Sequence, residues 1–150
     1  MKMIIIFIIV LLPLKAFSKE CPLEGYWLSN EALTFESIAN NANLSPETTN
    51  LFSNNFFGKL YIRIDCKEFT NVYIDYIETT EFKIISTSNS QVTMQLEELG
   101  ETIDKIFMLH GNCFSVQASS GEYREYFCPI TKDKFDQALK TAKALIDKGT

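Results

Sequence analysis

The sequence predicts a mainly β protein: an eight-stranded antiparallel up-and-down barrel, with a short helical insertion after the first strand and a C-terminal α-helix packed outside. Three observations carry this reading. Leu60, Ile62 and Ile64 alternate with Lys59, Tyr61, Arg63 and Asp65, and Val92, Met94 and Leu96 alternate with Gln91, Thr93, Gln95 and Glu97, the period of strands with one dry face. Turn chemistry recurs at short intervals, at Asp65-Cys66-Lys67-Glu68, Ser88-Asn89-Ser90, Gly100, His110-Gly111-Asn112 and Ser119-Ser120-Gly121. Eight antiparallel strands in a chain of this length close naturally into a barrel, because closure removes the edges that invite aggregation.

Taken in order, residues 1–18 read as a secretory signal peptide. Lys2 supplies a basic start, Met3 to Leu14 an apolar run of 12 residues, and Ala16 and Ser18 the small residues before cleavage after Ser18. A membrane-spanning helix needs about 20 apolar residues. Residues 19–150 then form one domain, large enough for a real core. Without Lys2 and Lys15 it carries 12 basic against 19 acidic side chains, a net charge of −7. Such a surface repels phosphate backbones and anionic lipid, which excludes nucleic acid as a partner.

The first strand surrounds Trp27, the only tryptophan. After it, Phe35, Ile38, Ala39 and Ala42 recur at helical spacing, and Ser45-Pro46-Glu47 is a cap followed by proline at a first helical position. Two short helices are therefore expected, near Thr34 to Ala42 and Pro46 to Asn54. The remaining strands are expected at Leu60 to Ile64, Val72 to Ile77, Phe82 to Thr87, Val92 to Leu96, Ile103 to Leu109, Phe114 to Ala118 and Tyr123 to Phe127. Thr131 caps a final helix whose stripe of Phe135, Ala138, Leu139, Ala142, Leu145 and Ile146 packs on the outside of the sheet.

In an exported chain the four cysteines imply two disulfides. An up-and-down order brings all four to one end. Counting across the last hairpin favours Cys113 with Cys128, and hence Cys21 with Cys66. The alternative is Cys21 with Cys128 and Cys66 with Cys113. Their spacing, with His110 as the only histidine, argues against a metal site, and no cofactor is expected.

Gly25-Tyr26-Trp27 ahead of a strand meander and a final helix resembles the lipocalins and related small ligand-binding barrels. Their motif is glycine, any residue, tryptophan at the start of the first strand, matched by Gly25 and Trp27. The stretch WLSNEALT, with FGKL after the insertion, also looks like a group of uncharacterised exported bacterial proteins with a lipocalin-like barrel. The resemblance implies that an arginine near the last strand lies over the tryptophan at the barrel floor, and Arg124 is the candidate. The threonine-aspartate-tyrosine motif usual between middle strands is absent. The up-and-down order itself puts the helical insertion opposite the cysteines, so that the segment Thr34 to Phe57 is expected as the lid of a cup.

No catalytic constellation emerges. His110 reads as an exposed turn residue, and Glu97, Glu98 and Glu101 as a solvated acidic turn. The candidate site is the barrel interior, with Ile62, Ile74, Tyr76, Phe82, Met94, Phe114, Tyr123 and Glu125 facing a small hydrophobic ligand. Glu125 shares the parity of Tyr123 and Phe127; inward, it needs a partner or a polar ligand group, unless a bulge turns it to solvent. The expected function is thus a non-enzymatic secreted or periplasmic barrel that binds a small hydrophobic molecule. The alternative is a periplasmic protein-binding module, such as an inhibitor or immunity protein against a cell-wall-active enzyme, with contacts near Glu97 to Glu101.

Overall fold

The computed structural model describes residues 21–40, 44–52, 57–98, 100–118, 121 and 123–149. The expected signal peptide at 1–18 lies outside the described residues, as do the expected C-terminal ends of both insertion helices. The elements are β1 (Gly25–Ser29), α1 (Glu31–Ala39), α2 (Pro46–Phe52), β2 (Leu60–Ile64), β3 (Glu68–Tyr73), β4 (Tyr76–Thr87), β5 (Gln91–Glu98), β6 (Glu101–His110), β7 (Cys113–Gln117), β8 (Arg124–Pro129) and α3 (Lys132–Gly149). The eight strands form a closed antiparallel barrel in sequence order, with β8 returning to β1.

Strand alternation sorts the apolar residues into two cores. Ile62 and Ile64 from β2, Val92, Met94 and Leu96 from β5, and Phe82, Phe107, Phe114 and Phe127 point inward and form the barrel core with Leu23. A second, smaller core lies outside, where Phe135 and Ala142 of α3 bury Val72 among Tyr26, Tyr61 and Leu139. The Thr131 hydroxyl caps α3 by accepting from the Lys134 amide at 3.3 Å. The helical stripe outruns the sheet, so Leu145 and Ile146 remain exposed.

The middle strands differ from the expectation. The apolar run Val72 to Ile77 is not one strand but a hairpin, with Tyr73 paired to Tyr76 across a turn of Ile74 and Asp75. Such two-residue turns need positive φ and normally use Gly, Asn or Asp. Here Ile74 takes φ 49°, a conformation that costs a β-branched residue about 1–3 kcal/mol. The parity of β3 is therefore the reverse of that expected: Phe69 and Asn71 lie on the inner face, opposite Ile64 and Ile62, and Val72 faces α3. Ile74 and Tyr76 are corrected as ligand-facing residues, being 49% and 52% exposed at the rim.

The floor also departs from expectation. Cys113 and Cys128 are bridged, one position beyond the Phe114–Phe127 pair of the β7–β8 ladder. Cys21 and Cys66 are free thiols. They nonetheless meet: the Cys21 thiol is pushed up to about 12, chiefly by burial and then by its hydrogen bond with Cys66. Cys21 opens a turn, with the Glu24 amide donating to its carbonyl at 3.2 Å, and strand pairing begins only at Gly25.

That late start slides the register of β1 against β8, so Trp27 faces Pro129 and not Tyr123 or Arg124. The expected stack of Arg124 on Trp27 is absent. Trp27 instead packs edge-on against Phe114 at 4.8 Å and donates its indole N–H to the Leu23 carbonyl at 3.0 Å. Gly25, at φ 148°, lies beneath that indole, and an added Cβ would sit 3.6 Å from its nitrogen. Arg124 lies five positions farther along, bonded to Ser115 and Gln117.

Because β1 is short, strand pairing covers only part of β8. Past Ser29 the Asn30 amide still donates to the Tyr126 carbonyl at 2.7 Å. The Asn30 side chain then caps α1 by accepting from the Leu33 amide at 3.0 Å. From α1 the buried Thr34 hydroxyl accepts from the Tyr126 amide at 3.1 Å, and the Ser37 hydroxyl accepts from the Arg124 amide at 3.0 Å. A helix thus satisfies the edge that a longer first strand would have paired.

Candidate functional site

Toward the end opposite the disulfide the inner face changes character. β3 contributes Asn71, β8 contributes Glu125 and β6 contributes Lys105 to a cavity of about 270 Å3, otherwise walled mainly by Ile62, Phe107 and Phe114. Glu125 points inward, opposite Val116 and two positions from the buried Phe127, so no bulge turns it to solvent. The buried Ser29 hydroxyl donates to Glu125 Oε1 at 2.6 Å and accepts from the Gly58 amide at 3.3 Å. Burial raises the Glu125 carboxyl above the usual carboxylate range, and the Ser29 bond offsets part of that rise.

Beside Tyr123, which lines the cavity, aromatic rings cluster. Phe57 is buried between Phe35 at 5.9 Å, Phe52 at 5.2 Å and Tyr123 at 5.6 Å, joining both insertion helices to the start of β8.

The side is open. β6 pairs with β5 along its length, but pairs with β7 only from Phe107 to His110. The Leu109 amide bonds toward β5, at Ser90, so alternate residues face the other way. Thr102 and Asp104 therefore turn their main-chain N–H and C=O groups toward an edge with no strand on it among the described residues. A groove of about 860 Å3 follows this edge. It shares Lys105, Val116 and Gln117 with the inner cavity, which makes the gap between β6 and β7 a side opening to the interior. At its lip Lys105 pairs with Glu98 at 2.6 Å.

The sequence-derived candidates fall into three groups. Ile62, Phe114, Tyr123 and Glu125 line the cavity, Phe82 and Met94 belong to the packed core beside it, and Ile74 and Tyr76 lie outside. Asn71 and Lys105 were missed, and Glu98, read as a solvated acidic residue, is paired with Lys105. Lys105 was detectable, since it shares strand parity with Ile103 and Phe107; Asn71 was hidden by the misplaced turn.

His110 has a nearer serine than its turn position suggested, with Nε2 2.8 Å from Ser115 Oγ. Ser115 is completely buried, and its oxygen also accepts from Arg124 Nε at 2.9 Å. An attacking hydroxyl needs an approachable oxygen, so this cluster is a structural hydrogen-bond network. Of the acidic turn, Glu98 is paired with Lys105 and Glu97 accepts from Thr102 at 3.0 Å. Among the described residues no cluster of His, Cys, Asp and Glu suits a metal ion, and no helix is long and apolar enough to cross a membrane. Compared with protein-family models, curated proteins and solved structures, the chain matches none of them.

Proposed function

We propose that this chain is a non-enzymatic, exported, lipocalin-like barrel that binds one small hydrophobic molecule in the cavity reached through the β6–β7 gap. The observation that carries the reading is an apolar-walled cavity with a side opening and one inward carboxyl. An interior built only for packing has no need of a half-buried inward acid, which is costly unless compensated. The volume equals that of roughly nine liquid waters at about 30 Å3 each, which suits a compact ligand better than a long acyl chain. The signal-like N-terminus and the Cys113–Cys128 bridge support an oxidising compartment. A lipophilic fluorescent probe should bind with micromolar or tighter affinity and be displaced by short-chain lipophiles. Absence of binding across a panel of such molecules would remove this reading.

A second reading is favoured by the bare edge of β6. Two outward main-chain positions, Thr102 and Asp104, beside Glu97, Glu98 and Glu101 suit an added strand from a basic partner protein, by β-augmentation. Hydrogen exchange should then slow at the amides of Thr102 and Asp104 when the partner is added. Unchanged exchange there would exclude that docking mode.

A further inference from the structure

We propose that the interior site selects a small lipophilic amine, held by its ammonium group on the Glu125 carboxylate with its apolar body among Ile62, Phe107 and Phe114. This inference rests on the ligand-binding reading above and specifies its ligand.

The geometry begins with Ser29. Its single hydroxyl proton goes to Glu125 Oε1, and its oxygen is held by the Gly58 amide, so the carboxyl is fixed from one side only. Glu125 lines the cavity, leaving its second oxygen to meet what enters. A carboxylate in such surroundings needs an opposite charge. Among the described residues the polar or titratable groups around Glu125 are Ser29, Asn71, Tyr123, Lys105 and Gln117, the last held by Gly121, Tyr123 and Arg124, and Lys105 is the one cation of the cavity lining. Lys105 is tied to Glu98 at the lip, and no ion pair joins it to Glu125. The inner carboxylate thus lacks a counter-ion among the described residues.

An ammonium supplies that missing charge. Asn71 offers it a further oxygen, and the aromatic wall offers ring faces that attract cations. An anionic ligand would meet a like charge, or would have to detach Lys105 from Glu98. A neutral alcohol would gain one hydrogen bond and leave the charge uncompensated. Amine binding should also weaken on acidification, as Glu125 takes a proton and its charge is lost.

Calorimetric titration of the full chain with n-hexylamine, n-hexanol and n-hexanoate at pH 7.5 separates these cases. The expected result is amine affinity at least tenfold above that of the alcohol, with hexanoate weakest. Glu125→Gln should erase the amine preference and keep the affinity for hexanol. Should that variant fold poorly, the wild-type protein gives an independent readout: hexylamine affinity should fall at least tenfold from pH 7.5 to pH 4, with hexanol unchanged. Hexanoate binding as tightly as hexylamine, or an amine preference that survives acidification, overturns the amine assignment while leaving the ligand-binding reading intact. No binding by any of the three overturns both.

Discussion

Near the disulfide, β7 and β8 stay bonded up to Cys113–Cys128, Trp27 covers Phe114, and the inward residues are apolar. At the other end β6 runs on without β7, and Asn71, Lys105 and Glu125 enter the inner face. The same barrel is thus sealed and dry at one end, and slit and polar at the other. The difference teaches that tight packing and polar inward groups are divided along the barrel axis. Changes near the floor should act on folding, and changes near the slit on what the interior accepts.

The largest expected effect is at the floor. Phe114→Ala removes a fully buried ring that touches Trp27, Phe107 and Phe127, and should cost about 3–5 kcal/mol by urea titration. A loss near 1 kcal/mol would mean that the floor is not the stabilising end. Next is the bridge, whose cysteines are 15 residues apart. Cys113→Ser with Cys128→Ser should lower stability by about 3 kcal/mol on chain-entropy grounds, without abolishing probe binding.

The seam comes third. Thr34→Val keeps the shape but leaves the Tyr126 amide without its acceptor, and should cost about 1–3 kcal/mol. At the slit the sign changes. Because the folded state raises the Glu125 pKa, the folded protein holds its proton more tightly than the unfolded chain does. Its contribution to stability is complete below pH 4.5, the ordinary value, and is lost as pH rises from there through the folded pKa. Glu125→Gln should therefore be more stable than wild type at pH 7, and paired urea midpoints at pH 4 and pH 7 test this. Asp65 acts in a separate window, losing stabilisation only as pH falls below 3.8. The smallest effect belongs to Lys105→Met. This change breaks a partly exposed ion pair worth about 0–1 kcal/mol, and should alter probe association rates more than stability.

The sequence made the sealed end more legible than the slit. Strict alternation in β2 and β5 identified inward residues correctly, and counting across one hairpin paired Cys113 with Cys128. Local patterns failed where a β-branched residue made a turn, at Ile74, since nothing in Tyr73-Ile74-Asp75-Tyr76 carries glycine or proline. They also failed at the β1–β8 register, which is decided by a turn before Gly25 and moves Arg124 away from Trp27. The slit is a mismatch between a ten-residue β6 and a five-residue β7, and strand lengths of neighbours are not written in either segment alone. Glu125 was read as an inward candidate, but its partner Ser29 lies 96 residues away.

The seam where β1 and α1 meet β8 has a kinetic consequence. Its bonds span 96 positions from Ser29 to Glu125, 92 from Thr34 to Tyr126 and 87 from Ser37 to Arg124. No hairpin can zip it, so the first segment must wait for nearly the whole chain before it finds its place. Contacts of such separation slow folding, and barrel closure should be a late step. Until then both the hydroxyl-lined helix and the bare side of β8 stand open to other chains, and crowding during synthesis would be the moment of greatest hazard for this protein.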